Sequence, residues 1–484
     1  MNKNKVKSQI ISFGFFFSSL SFCIFLFPPK VIPKSSLESD LAVKAKSINV
    51  KIFGPASSGS GVILNKVNST YEVLTAKHVI NSVSKGDEVE IKTPDGKLHL
   101  FIQGSINKVP NVDMATIKFS SLSNYKTAEL GNSKSVRSGN KVYVSGFPLP
   151  TASVNKSIFR FQGGNVIANS NSKLKDGYNL LYSNPTLPGM SGGSVIDESG
   201  KLIAIHGRSE LDANASSDSG KLISTGVNQA IPVEFYVAFA EKRELVISES
   251  KKTSDDFLAE AYSSFQNKEK PLKILKLAKQ SLDLNKSALG YTLMGAAKND
   301  LSDTEGALKA YDEALKLDEN IELALRYKAE NVEGENALNL YNKLIKLYPE
   351  NMYYHFKRSA VKGTLGDNKG KLEDRLKTLE LAKQQNLWSR GPGSSDDPSN
   401  HIKLAIYSMI GNNYYELGNI PQACDYWNTS YEAGGDTWYF VAQTEYVFHS
   451  RRGLPTFSSA PRDEHLKNLL GRGELDDIIY KVCL

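Results

Sequence analysis

The sequence predicts an all-β domain of roughly 200 residues followed by an all-α domain of helical repeats, on three observations. Between about Ala45 and Ala240 the chain runs in short β-branched segments broken by turn signals. After Ser248 to Asp256, where every residue is Ser, Thr or charged, the apolar period changes from about 2 to about 3.6. At 484 residues the chain also exceeds one ordinary core, so two or three domains are expected.

The first element is an apolar run from Ile10 to Phe27, flanked by Lys3, Lys5, Lys7, Lys30 and Lys34 and followed by Pro28-Pro29. A charged flank before an apolar stretch is the layout of an export segment, so residues 1–36 read as a signal peptide or a membrane anchor. Its 18 residues nearly span a bilayer and no Ala-x-Ala-like site follows, which leaves cleavage and anchoring both open. Either way the chain is expected outside the cytoplasm, in a periplasm, a lumen or the medium.

The β domain, residues 45–245, shows candidate strands at Ser47 to Phe53, Gly61 to Leu64, Tyr71 to Leu74, Glu88 to Lys92, Thr116 to Phe119, Lys141 to Ser145, Val195-Ile196 and Leu202 to Ile205. Asp95-Gly96 marks a hairpin before Lys97 to Leu100. Many short strands at this spacing make a barrel or a sandwich. Residues 246–256 read as a linker and residues 257–435 as the helical domain, with 436–484 as a C-terminal helical cap. In that domain Gly295, Ala307, Tyr311 and Ala314 sit at the spacing of a helix-turn-helix repeat of about 34 residues. Ala337, Tyr341, Leu344 and Pro349 repeat its second helix, and Gly411, Tyr414, Gly418, Ala423, Trp427 and Ser430 supply a later unit.

The formal charge of +7 falls to +2 once the five N-terminal lysines are set aside, and no Lys/Arg stripe interleaved with aromatics stands out, so nucleic acid is not expected as a partner. Cys424 and Cys483 read as two free buried thiols, with one disulfide between them as the alternative. Seven scattered histidines with no Cys-x-x-Cys or His-Glu-x-x-His give a metal site no support, and no cofactor is required.

Chemistry concentrates in three places. Gly189-Met190-Ser191-Gly192-Gly193 is a glycine-rich turn around a serine, His78 follows the apolar run Val73-Leu74-Thr75-Ala76, and Asp113 opens Asp-Met-Ala-Thr-Ile, directly before another strand. A serine hydroxyl is a poor nucleophile until a base takes its proton, and that base needs a carboxylate to fix its tautomer. His78, Asp113 and Ser191 offer one residue for each role. Asp113 lies 35 residues after His78, whereas Asp87 and Asp95 sit in polar, hairpin-like surroundings.

This order, with Gly59-Ser60-Gly61-Val62-Ile63 upstream and Gly226 to Pro232 closing the segment, resembles the chymotrypsin- and trypsin-like serine peptidases over about 190 residues. The resemblance implies a double-barrel fold, a Ser191 nucleophile, a His78 base and an Asp113 orienter, with an oxyanion hole made by the N–H groups of Gly189 and Ser191. Ser194 departs from the proline common at that place. The primary pocket would be walled by Thr186, His206 and Gly207. Pro185 stands where an aspartate would select Lys or Arg, whereas Thr186 and His206 resemble the pair of glutamyl endopeptidases and would suit an acidic side chain. The bland alternatives are a turn threonine and a packed strand-end histidine.

The helical half resembles the tetratricopeptide family, with four or five imperfect units. The repeat spacing slips to 30 between Ala307 and Ala337, and a Gly/Pro/Ser/Asp loop intervenes at Trp388 to Asn400. The whole chain resembles bacterial, cyanobacterial-type proteins that join the two domains. The expected function is exported serine endopeptidase, with protein or peptide as substrate and the repeats binding a substrate or partner protein. A catalytically idle scaffold and an esterase on the same triad are the competing readings.

Overall fold

The computed structural model describes residues 37–55, 58–150, 156–172, 174–211, 224–243, 252–384 and 398–432. The Ile10 to Phe27 run, the 436–484 cap and Cys483 lie outside the described residues. Of residues 1–40, only Leu37 to Asp40, the first turn of helix α1 (Leu37–Ile48), are described. That helix takes in Ser47 and Ile48, so the first strand starts at Asn49 rather than Ser47; Leu41, Ala45 and Ile48 are buried at helical spacing.

Strands β1 (Asn49–Phe53), β2 (Ser58–Val67), β3 (Thr70–Thr75), β4 (Glu90–Lys92), β5 (Leu98–Leu100), β6 (Asn107–Lys108) and β7 (Ala115–Ser120) form an antiparallel sheet in the order β5-β4-β1-β2-β3-β7-β6. The hairpin expected at Asp95-Gly96 pairs Lys92 with Leu98. The sheet curls until Phe101 bridges Phe119 and the Ile102 N–H reaches the Lys118 carbonyl at 2.7 Å. Val50, Ile52, Ile63, Val73, Ile91, Ile117 and Phe119 fill its interior.

Strands β8 (Lys141–Gly146), β9 (Arg160–Asn169), β10 (Leu180–Tyr182), β11 (Ser194–Asp197), β12 (Leu202–Leu211) and β13 (Ser224–Pro232) close into a six-stranded barrel. Of the two barrels expected, one is thus closed by strand pairing and the other is a seven-stranded curled sheet joined at its edge by a single bridge. A core of Val62, Leu74, Val112, Met114, Tyr143, Tyr178, Ile205 and Ile231 glues the halves together, with α1 and α2 (Glu234–Ala240) packed on it. A cleft between two such halves can take catalytic groups from each.

Among the described residues five helix pairs follow: α3 (Ser254–Gln266) with α4 (Pro271–Leu284), α5 (Ala288–Asp300) with α6 (Thr304–Leu317), α7 (Glu322–Glu330) with α8 (Gly334–Leu347), α9 (Met352–Thr364) with α10 (Asn368–Gln384), and α11 (Pro398–Glu416) with α12 (Ile420–Glu432). Small residues in the first helix of a pair admit aromatics from the second: the place of a Gly295 Cβ is 2.5 Å from the Tyr311 ring, and that of a Gly411 Cβ is 2.5 Å from Trp427. The first pairs share a core with the closed barrel, where Ala168, Leu181 and Val227 meet Leu258, Ala259 and Tyr262. Ser254, Asp255 and Asp256, placed by composition in a linker, are instead the first turn of α3. Cys424 is disulfide-bonded, not the free thiol favoured from the sequence, and its partner lies outside the described residues. Among the described residues no helix is long and apolar enough to cross a membrane.

Candidate active site

The end of β3 leads through Ala76 into a single 3-10 turn, Lys77–Val79, which swings the His78 side chain out to 45% exposure. Asp113, just before β7, grips that turn twice: its carbonyl accepts from the Lys77 N–H at 3.2 Å and its Oδ1 from the His78 N–H at 2.9 Å. Its Oδ2 lies 2.7 Å from His78 Nδ1. The carboxylate is only 14% exposed, and burial alone would raise its pKa. Hydrogen bonds and charge from His78, with a further bond from the Tyr178 hydroxyl at 2.5 Å, outweigh burial and hold it down at about 2. Asp113 therefore stays charged at neutral pH. With an ionised acceptor on Nδ1, the tautomer in which Nδ1 carries the proton is favoured and Nε2 faces outward as a base.

Ser191 comes from the other half, on the loop between β10 and β11. Met190 anchors that loop in the closed barrel. The loop is stitched to the first sheet by Ser60, whose N–H donates to the Ser191 carbonyl at 2.8 Å and whose hydroxyl donates to the Gly189 carbonyl at 2.9 Å. Gly192 has φ +85°, and a Cβ there would fall 2.1 Å from the Ser60 carbonyl oxygen and 3.1 Å from the Ala76 nitrogen. Only glycine permits this approach, and it brings Ser191 against the strand end that carries His78. Among the described residues no hydrogen bond joins Ser191 Oγ to His78 Nε2; such bonds are often long before substrate binds.

The Met190 N–H is used by the Leu187 carbonyl at 3.1 Å and the Gly193 N–H by the Met190 carbonyl at 2.9 Å. Among the described residues the Gly189 and Ser191 N–H groups have no protein acceptor. Ser194 has a use for the N–H that a proline would lack. It donates to Asn49 Oδ1 at 3.1 Å, inside a fully buried cluster in which Asn49 Nδ2 donates to the Ser194 and Ser145 hydroxyls at 2.8 and 3.1 Å.

The pocket candidates lie on the closed barrel. Thr186 Oγ1 donates to Asn228 Oδ1 at 2.6 Å, and the Tyr182 hydroxyl lies 2.5 Å from His206 Nδ1. Tyr182 and Asn228 are register partners of β10 and β13, so the two contacts sit side by side. His206 is buried, and burial followed by the neighbouring His78 charge pushes its pKa down to about 3. Its ring is neutral at pH 7. Burial also holds the Tyr182 hydroxyl protonated, so that hydroxyl donates to Nδ1 and the proton stays on Nε2. Gly207, the next residue, packs on Tyr178 rather than on His206 or Thr186. The sequence reading missed Ser60, Asn49 and Tyr178 as supporting residues; of these only Ser60 lay within a motif it had noticed.

The bonded His78–Asp113 pair lies on one half of the β domain and the glycine-rich turn that holds Ser191 on the other. Residues 59–205 match the family model described as a trypsin-like peptidase domain. The chain is 28% identical over 179 residues to proteins named serine protease HtrA-like from two strains of Staphylococcus epidermidis, covering 35% of this chain and 29% of theirs. It is 24% identical over 204 residues to serine protease Do-like HtrA of Lactobacillus helveticus, covering 41% of this chain and 47% of that one. The chain thus spans less than half the length of these curated relatives.

Proposed function

We propose that the protein is an exported serine endopeptidase working through His78, Asp113 and Ser191. The single observation that carries the reading is the His78 imidazole, tied by Nδ1 to a charged Asp113 at 2.7 Å beside the turn that holds Ser191. In this scheme Nε2 takes the Ser191 proton as Oγ attacks the scissile carbonyl, and the oxyanion forms against the Gly189 and Ser191 N–H groups. His78 then returns the proton to the leaving amine, and water clears the acyl-enzyme by the reverse sequence. Among the described residues those two N–H groups have no protein acceptor while the Met190 and Gly192 N–H groups are engaged, which supports the oxyanion assignment.

For specificity, a neutral His206 with its proton on Nε2 is a donor suited to a carboxylate, and Thr186 stands beside it, which favours an acidic residue before the cut. The helix pairs are read as tetratricopeptide units that hold a substrate or partner protein, a reading supported by the matched Gly295–Tyr311 and Gly411–Trp427 contacts. Export rests on the lysine-flanked apolar run, and the disulfide at Cys424 suits an oxidising compartment.

The test is cleavage of a peptide library by the full chain beside Ser191→Ala. Loss of the nucleophile should lower kcat by roughly 10⁶-fold, to background, with acidic residues enriched before the cut sites. Equal cleavage by both forms, or none by either, overturns the proteolytic reading; Ser191-dependent cleavage without acidic enrichment removes only the specificity.

A further inference from the structure

Tyr178 lies in the core between the two halves of the β domain and is 3% exposed. Its hydroxyl donates to Asp113 Oδ2 at 2.5 Å, the same oxygen that faces His78 Nδ1 at 2.7 Å. Two residues earlier, the Asp176 carbonyl accepts from the Asp113 N–H at 2.8 Å. One short turn therefore holds Asp113 by both backbone and side chain. The ring reaches Asp113 through a gap left by Gly207. A Cβ on Gly207 would fall 2.0 Å from Tyr178 Cε1 and 2.8 Å from the hydroxyl oxygen, so any other residue would push the ring away. The Arg208 guanidinium covers the ring at 4.1 Å and is itself held by Gln229 Oε1 at 3.3 Å.

If Tyr178 only filled space, its hydroxyl would have no reason to end on the shared carboxylate oxygen. There it fixes the plane of the carboxylate, and with it the imidazole that must swing its Nε2 toward Ser191. We infer that Tyr178 is a positioning residue for the triad acid, and that position 207 is glycine to admit its ring rather than to shape the substrate pocket. The inference rests on the proteolytic reading above.

The experiment uses the full chain as wild type, Tyr178→Phe, Asp113→Asn and the double variant. It measures kcat and KM on a peptide from the cleavage library, and the rate at which a fluorophosphonate labels Ser191. Tyr178→Phe should lower kcat about tenfold with KM changed less than about twofold, because one charge-assisted bond is lost and no substrate contact is. In the Asp113→Asn background the same substitution should change the labelling rate less than about twofold, since the charge it serves is gone. Gly207→Ala should reproduce the kcat loss; should it fail to fold, the Phe variant decides alone. Wild-type kcat in Tyr178→Phe, or an equal fractional loss in both backgrounds, overturns the inference while leaving the peptidase intact. A wild type that neither cleaves nor labels takes down the peptidase reading and this inference with it.

Discussion

His206 accepts the Tyr182 hydroxyl in a buried site, and burial holds the ring neutral down to about pH 3. An unfolded histidine protonates near 6.5. Below that value the unfolded chain binds a proton that the folded chain refuses, so this group's contribution is complete above about pH 6.5 and is lost as pH falls toward 3. Between pH 6.5 and 4.5 the loss is on the order of 2 to 3 kcal/mol. Replacing His206 and Tyr182 together by Leu and Phe orphans neither partner, and urea unfolding at the two pH values should show that component gone; an unchanged pH slope would refute it. Asp113 adds a separate step at lower pH. Its depressed pKa contributes stability above about 3.9 that disappears as pH falls through about 2. Residues such as His78, Asp113 and Ser191 were legible because each stands in a local motif next to an apolar strand or a glycine turn. Tyr178, 65 residues from Asp113, and Asn49, 145 residues from Ser194, act by tertiary contact alone, and no local pattern marks them.

The N-terminus of helix α3 joins the two domains through side chains rather than through apolar area alone. Asp256 closes a capping box with Thr253, taking the Thr253 N–H at 2.8 Å and its hydroxyl at 2.7 Å. Its other oxygen accepts from the Ser170 hydroxyl at 3.0 Å, the Asn171 N–H at 2.7 Å and the Ser172 N–H at 3.1 Å, all just beyond β9. Asp255 adds the Asn169 N–H at 3.0 Å. Asp256→Ala deprives both the helix cap and the barrel loop of a charged acceptor, so it should cost about 2 kcal/mol or more in urea unfolding. A change below about 0.5 kcal/mol, the scale of an ordinary surface substitution, would show the contact to be ornamental. The all-polar composition that suggested a linker here is the chemistry of that contact: carboxylates and hydroxyls are what a loop with open N–H groups needs. Other elements were hidden for a different reason. Strand β9 is half exposed along Arg160 to Asn165 and carries two glycines, so it lacks the alternation that revealed β3 and β7. Helix α1 mixes charge and Ala over its 12 residues, and only its tertiary packing shows which face is apolar.

Across the whole molecule, the last strand of the barrel meets the third helix pair at a buried acid. Glu322, at the start of α7, is 4% exposed, and its Oε2 lies 3.1 Å from where a Cβ on Gly226 of β13 would stand. Tyr354 donates to its Oε1, Tyr348 adds a weaker bond, and Arg326 is the cation nearby. Burial outweighs all of these and raises its pKa to about 7. The sign is opposite to that of His206. An unfolded glutamate ionises near 4.3 while the folded one keeps its proton to about 7, so the contribution is complete below about 4.3 and is lost as pH rises through 7. Stability of the intact chain should therefore sag on both sides, with the histidine setting the acid slope and this junction setting the neutral one. Glu322→Gln keeps an acceptor for Tyr354 but cannot ionise. Between pH 5 and 8 the wild type should lose on the order of 2 to 3 kcal/mol that the variant retains, and amides of α7 and β13, corrected for their intrinsic exchange rates, should lose protection at pH 8 in the wild type only. If the two proteins keep parallel stability curves over that range, the acid does not govern the seam between barrel and helices.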